Sequence, residues 1–418
     1  MTVQRTFVVL LFTILAGCGG GGGSGSSTPS SLSGATAPAT PDTAASAVVT
    51  STPPPDVTQS STPNVQPIVV TTAPNLVRNM LTTSVTLCVP GTTECATINN
   101  IQVDTGSQGL RILNSALPAN LQTLPKMASG TGTSGQCTVF GSGYTWGSVK
   151  TADIRMAGHV APNASIQVIA DPTLPTVPAD CAASGIAMLT APDLRANGIL
   201  GVGLFAADCG INCAIKALPR WYYSCDTSGN CTPSTQPLAQ QVTNPVSLFA
   251  QDNNGIVIEL PAIADGGAPN VSGSMIFGIG TQANNALGNA TVLKANAQSG
   301  YVTTALNGNT YASFLDSGSN GLFFPSSTLQ RCVLWYCPSS TQSLNATLLG
   351  ADGASTNLTF SVANSQTLFR TSNYAFSNLA GPAANSFNWG LPFFYGRRIF
   401  TAIEASATPA GNGPYYAF

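Results

Sequence analysis

Asp104-Thr105-Gly106-Ser107 and Asp316-Ser317-Gly318-Ser319 are near-copies of one phrase, 212 residues apart (316 less 104). A strand-like run, a turn and a second run precede each copy. Before Asp316 these are Val302 to Leu306, an Asn307-Gly308-Asn309 turn, and Tyr311-Ala312-Ser313-Phe314-Leu315. A spacing this long is no solenoid repeat, but it suits a duplicated lobe. The chain therefore has to place two equivalent β units in one body. What it can do depends on whether that body brings the two carboxylates together.

Carboxylates are scarce in this chain. Charged residues make up 7% of it, against about 25% in an ordinary soluble protein. The formal net charge of −2 gives no basic surface for nucleic acid and no electrostatic pull toward a membrane. From about residue 66, short apolar runs alternate with Gly, Pro, Asn and Asp. Ser84 to Leu87, Gly255 to Leu260 and Tyr301 to Leu306 read as strands, and Pro245 to Ala250 as a minor helix. The expected fold class is all-β, with an N-terminal lobe over 66–250 and a C-terminal lobe over 251–418.

The N-terminus reads as an export signal over 1–17. Arg5 precedes a short apolar core, Phe7 to Leu15, too short to span a bilayer, which needs about 20 residues. Leu15-Ala16-Gly17-Cys18 looks like a bacterial lipobox, which implies an acylated Cys18. Gly19 in place of Asp favours the outer over the inner membrane of a bacterial cell envelope. Residues 18–65 are rich in Gly, Ser, Thr and Pro and read as a disordered tether with a reach on the order of 40 Å. The Gly19 to Gly23 run belongs to this tether and precedes no phosphate-binding helix.

Eleven cysteines are present, and setting Cys18 aside leaves ten. An even number in an exported chain argues for disulfides. Cys88 with Cys95, and Cys332 with Cys337, flank short loops that a disulfide would close. Cys137 and Cys181 are further candidates. Cys209, Cys213, Cys225 and Cys231 form a cluster with two readings, disulfides or a zinc site. Its spacings are not those of zinc knuckles.

Two carboxylates within hydrogen-bond reach share one proton, because both cannot ionise at that distance. One then serves as general base toward water and the other as general acid toward a carbonyl. Each copy of the phrase carries the supporting parts. Gly106 and Gly318 allow a tight turn and offer an N–H to the carboxylate. Ser107 and Ser319 can hold its outer oxygen. Thr105 and Ser317 can tie one loop to the other. The chain has a single histidine, His159, which follows Gly158 at a turn and reads as a surface residue. That leaves little room for a Ser/His/Asp triad or a His-rich metal site.

These motifs resemble the pepsin-like aspartic peptidases, and the likeness runs in order from about 75 to 418. Phe140-Gly141-Ser142-Gly143-Tyr144-Thr145-Trp146-Gly147 is similar to the family's flap. Asn197-Gly198-Ile199-Leu200-Gly201-Val202-Gly203 is similar to the apolar-apolar-Gly loop behind the first aspartate. Gly273 to Gly280 is similar to the inter-lobe strand. Asn388-Trp389-Gly390-Leu391-Pro392-Phe393-Phe394 fits the second apolar-apolar-Gly segment more loosely.

The resemblance implies two double-psi β-barrel lobes with a central cleft and a catalytic pair of Asp104 and Asp316. It also implies a peptide or protein substrate, no cofactor or metal, and a monomer. Tyr144, Trp146, Phe323 and Phe324 are candidates to line the cleft, with core packing the other reading for Phe323 and Phe324. Departures from the family are Phe140 where it has a flap Tyr, Arg111 where a Trp bonds that Tyr, and Leu391-Pro392. The rival expectation is a non-catalytic binding lipoprotein of the envelope that keeps the cleft, with Asp104 and Asp316 as loop-capping residues.

Overall fold

The structure, a computed structural model, describes residues 63–418. The leader, Cys18 and the tether as far as residue 62 lie outside the described residues. The first strand, Val65–Val70, starts on the last residue that composition assigns to the tether. The described chain is all-β, and its longest helices have five residues.

Local chemistry accounts for the strand ends. Leu306 pairs with Asn309 across a two-residue turn, in which Asn307 and Gly308 have φ of 51° and 78°. Both values are positive, as the favoured tight hairpin turn requires. The expected helix at 245–250 is instead a 3-10 turn, Pro245–Leu248, capped by the Asn244 side chain. It ends where Phe249 returns to extended backbone.

One pairing scheme occurs twice. Cys95–Asp104 pairs antiparallel with Leu81–Cys88 and parallel with Gly198–Val202. Gly198–Val202 also pairs antiparallel with Gln108–Leu113, which runs parallel to His159–Ile169. In the second copy, Asn309–Asp316 pairs antiparallel with Val302–Leu306 and parallel with Ser386–Gly390. Ser386–Gly390 pairs antiparallel with Leu322–Phe324, which runs parallel to Ala380–Pro382. In both copies the strand entering the aspartate loop and the strand leaving it flank one shared strand. The loop must therefore cross the end of that shared strand.

The crossing explains the two apolar-apolar-Gly segments. A Cβ on Gly201 would lie 2.6 Å from Gln108 backbone, and one on Gly390 would lie 2.1 Å from the Gly321 carbonyl oxygen. Glycine is needed at both positions because another stretch of backbone passes directly over it. The loosely matching segment at Gly390 thus holds the same topological place as Gly201.

A 16-stranded sheet and a 7-stranded sheet carry these copies. Val65–Val70 pairs with Leu81–Cys88 on one side and with Val271–Phe277 on the other. Strands from both sides of residue 250 therefore belong to one continuous sheet. Ile101, Val103, Leu110, Ile112, Leu200, Leu315, Leu322, Phe324, Phe387 and Trp389 pack in one buried cluster. Fully burying a side chain of this kind contributes about 1.5–3 kcal/mol. Trp389 stacks on Phe387 at 4.2 Å and donates to Thr304 Oγ1 at 2.9 Å. Phe324 is fully buried in this cluster, which settles its reading as core.

His159 is not a surface residue. Its side chain is 14% exposed, with Nε2 3.2 Å from Asp252 Oδ2, and its ring stacks on Phe249 at 4.9 Å. The Ala157-Gly158 turn presses it against the sheet rather than into solvent.

All ten remaining cysteines are paired: Cys88–Cys95, Cys137–Cys181, Cys209–Cys213, Cys225–Cys231 and Cys332–Cys337. The zinc reading of the four-cysteine cluster is thereby corrected, since none of its thiols is free to ligate. Among the described residues no cluster of acids, histidines and cysteines could hold a metal.

Cys137–Cys181 joins residues 44 apart, whereas Cys332–Cys337 joins residues 5 apart. Replacing both members of the longer link by Ala should lower stability by about 2–4 kcal/mol. The same change in the shorter loop should cost less. Urea denaturation monitored by tryptophan fluorescence checks the order, and equal losses would contradict it.

Candidate active site

Asp104 and Asp316 are each the last residue of their strand. The loops that follow hold them identically. The Gly106 N–H donates to Asp104 Oδ1 at 2.8 Å, and the Gly318 N–H donates to Asp316 Oδ1 at 2.9 Å. The Ser107 and Ser319 hydroxyls each donate to the Oδ2 of their own aspartate at 2.6 Å.

Thr105 and Ser317 join the two loops reciprocally. The Thr105 N–H donates to Ser317 Oγ at 3.1 Å, and the Ser317 N–H donates to Thr105 Oγ1 at 2.9 Å. The Thr105 hydroxyl donates to the Leu315 carbonyl at 2.9 Å, and the Ser317 hydroxyl to the Val103 carbonyl at 2.8 Å. Both residues are buried. Each such bond contributes about 0.5–1.5 kcal/mol, and losing one partner strands the other.

The glycines act differently from the sequence expectation. Neither Gly106 nor Gly318 has a positive φ. A Cβ on Gly106 would lie 2.9 Å from Asp316 Cγ, and one on Gly318 would lie 2.6 Å from Asp104 Oδ1. Each glycine is bare so that the opposite carboxylate can rest against its loop. The tight turn itself does not require them.

The two carboxylates lie side by side: a Cβ on Gly106 would be 2.9 Å from Asp316 Oδ1 and 3.1 Å from Asp104 Oδ1. Asp104 is 7% exposed and Asp316 is 8% exposed. Burial, then the charge of Asp316, pushes the Asp104 carboxyl up to about 7, against the opposing pull of Ser107 and Gly106. Asp104 thus holds its proton up to about pH 7.

Three site residues were not singled out from the sequence. Asn388 Nδ2 donates to Asp316 Oδ2 at 2.9 Å and to Ser319 Oγ at 2.8 Å. Gln102 Nε2 donates to the Gly318 carbonyl at 2.8 Å, tying the second loop to the first strand. Tyr416, from the C-terminal strand, lies close enough to feel both aspartates. Burial raises its hydroxyl far above the usual range. Asn388 was legible only as a member of the looser apolar-apolar-Gly segment and Gln102 only as part of the run before Asp104, because their partners lie 72 and 216 residues away.

The expected flap is a hairpin. Gly132–Phe140 and Gly143–Met156 pair through Phe140 and Gly143, with Gly141 and Ser142 exposed at the turn. The Tyr144 N–H donates to the Ile186 carbonyl at 2.9 Å, and a Cβ on Gly143 would lie 2.1 Å from that oxygen. Gly143 also has φ of 153°, which favours glycine there. Tyr144 and Trp146 do not line an open surface. They are 6% and 1% exposed, in a cluster with Tyr223 and the Cys137–Cys181 link. Phe323 is half-buried and tilts onto Trp335 at 5.5 Å.

Arg111 does not occupy the space beside the aspartates. It is 1% exposed and pairs with Asp208 at 3.1 Å. Its Nε donates to Thr138 Oγ1 at 3.0 Å and its Nη1 to the Gln108 carbonyl at 2.7 Å. The guanidinium lies 5.8 Å from the Phe140 ring centroid. Asp208 also accepts from the Tyr222 hydroxyl at 2.6 Å and from Gln136 Nε2. Burial pushes Asp208 up to about 6 although Arg111 pulls it down. The Arg111 and Phe140 departures thus belong to a buried bracket that ties the flap strands to the strand after Asp104. A small cavity of about 160 Å³ beside Leu322, Phe360, Phe393 and Arg397 includes neither aspartate in its lining.

Fold and site together define an all-β protein with two matched loops holding one buried aspartate pair. The chain belongs to the family described as "Protein of unknown function (DUF3443)", whose model matches residues 60–418. No curated protein matches the chain.

Arg111→Met should leave Asp208 buried without its cation, a loss of about 3–5 kcal/mol. The loss should be largest at pH 8, where Asp208 must stay ionised, and smaller at pH 5, below its value of about 6. Chemical denaturation at the two pH values tests this. A pH-independent loss would mean that Arg111 acts through packing alone.

Proposed function

We propose that this protein is a pepsin-like aspartic endopeptidase, exported to the cell envelope and held there by a lipid on Cys18. The observation that carries the proposal is the aspartate pair. Two carboxylates lie side by side inside the fold, each with the same Gly N–H and Ser hydroxyl donors. A fold that needed only loop caps would gain nothing by burying two acids against each other, since their mutual repulsion is a cost. Pairs of this kind do general acid–base work.

In this reading a water molecule is held by the pair. The ionised aspartate takes its proton as the oxygen attacks the peptide carbonyl carbon. The protonated aspartate gives its proton to the carbonyl oxygen. As the tetrahedral intermediate collapses, the aspartate that took the water proton passes it to the departing nitrogen and the other regains a proton from a hydroxyl of the intermediate, so the amine leaves and the pair again holds one proton. The Gly141-Ser142 turn of the hairpin would close over the substrate. Arg111 buried in its own ion pair supports this reading, because it leaves the carboxylates free of a neutralising cation.

The proton on Asp104 sets the alkaline limit. With Asp104 pushed up to about 7, the one-proton state is retained below that pH and lost above it. Cleavage of a mixed peptide library from pH 3 to 9 should therefore fall off above pH ~7. Asp104→Asn and Asp316→Asn should each lose at least about 10²–10⁴-fold in kcat/KM. Equal cleavage by all three proteins, or none by the wild type at any pH, would overturn the peptidase and leave a binding role for the site.

A further inference from the structure

The two aspartates have matched donors within their own loops, but the shared strands beside them do not match. Asp104 pairs with Gly201, and Asp316 with Gly390. Two residues before each glycine, the first copy has Ile199 and the second has Asn388. Ile199 is 3% exposed in an apolar cluster with Leu113, Ile169 and Met188. It has no polar atom to offer. Asn388 stands at the equivalent register position, and its Nδ2 reaches both Asp316 Oδ2 and Ser319 Oγ.

We infer that Asn388 is a positioning residue that settles the shared negative charge on Asp316 and leaves the proton on Asp104, making Asp316 the general base and Asp104 the general acid. A donor to one carboxylate stabilises its charged form more than its neutral form. Asp316 Oδ2 accepts from Ser319 and Asn388, whereas Asp104 Oδ2 has the Ser107 hydroxyl as its counterpart donor. The Ser319 hydroxyl, accepting from Asn388, is also oriented to donate onward to Asp316. The opposite amide orientation would set Asn388 Oδ1 against the carboxylate.

The amide comes at a cost, because Asn388 Oδ1 is buried without a partner. Folding alone would favour an apolar side chain there, as at Ile199. The raised Asp104 carboxyl agrees with the assignment. The other titratable groups nearby are Tyr416, which faces the pair, and Tyr301, which faces Tyr416. Burial keeps both phenols neutral over the range that matters.

The catalytic part of this inference rests on the peptidase reading, but the charge assignment can be tested without it. The full chain carrying [¹³Cγ]aspartate is titrated by NMR as wild type, Asn388→Ile and Asn388→Ala. The pair loses its two protons in two macroscopic steps. Removing the donor should raise the lower step by about one pH unit. The upper step should stay, because Asp316 is charged on both sides of it. Where peptides are cleaved, the acidic limb of kcat/KM should move by the same amount and the alkaline limb should not.

A merely structural role would lower activity at every pH and leave both steps in place. A lower step that does not move in either variant, or an upper step that moves with it, overturns the assignment. A shifted lower step with no cleavage by wild type upholds the charge assignment and overturns the peptidase reading. Cleavage with an unmoved lower step overturns the assignment alone.

Discussion

The structure depends on a contact that only glycine permits. Gly106 and Gly318 leave each loop thin enough for the opposite carboxylate to rest on it. The exchange between Thr105 and Ser317 then holds the loops at that separation, with each residue's amide and hydroxyl both engaged across the junction. Because the hydroxyls end on the carbonyls of Val103 and Leu315, the lock is to the strands themselves. A shift of either strand by one residue would turn its aspartate to the other face. The geometry of the acid pair is therefore a property of sheet register, and the sheets on both sides support it.

Much of this was legible in the sequence, for a physical reason. A carboxylate followed by Gly and a hydroxyl three residues on is a local arrangement, so the donors to Asp104 and Asp316 could be named from spacing alone. The strand ends were legible where Gly or Asn-Gly marks a turn, as at Asn307-Gly308. What stayed hidden depends on contacts between distant segments. Asn388 looked like one residue of an imperfect Gly segment, yet it touches Asp316 because parallel pairing places it there. The Gly106 and Gly318 N–H donors were legible, but not why both residues must be glycine. Their need is for space against the other loop, which no local pattern records. Tyr144 and Trp146 sit on the flap in sequence but face the disulfide-linked core, because this stretch of the strand is buried on both faces.

The chain's scarcity of charge sharpens what the buried charges mean. Arg111 meets Asp208, Lys150 meets Asp171, and His159 lies beside Asp252. In each case a buried acid has a basic neighbour, which is how a fold ordinarily tolerates it. Asp104 has another acid instead, and its carboxyl is pushed up rather than pulled down. Elsewhere among the described residues buried acids rest against bases or, at Asp153, against the Gly91 and Asn163 N–H groups, so two acids set against each other call for an explanation other than stability.

Duplication by itself makes a poor acid–base pair. Two identical loops related by a repeated topology would share the proton evenly, and neither carboxylate would be committed to being base or acid. The difference has to come from outside the loops, at positions the repeat does not constrain. The shared strand is such a place, because its glycine is required by the crossing backbone while the residue two earlier only has to fill space beside the carboxylate. In the first copy that residue is apolar and packs beneath the flap hairpin's neighbours. In the second it is an amide aimed at Asp316. The hairpin and its Arg111–Asp208 bracket also belong to the first copy. On the peptidase reading, one half of the molecule would carry the lid and the acid, and the other the base.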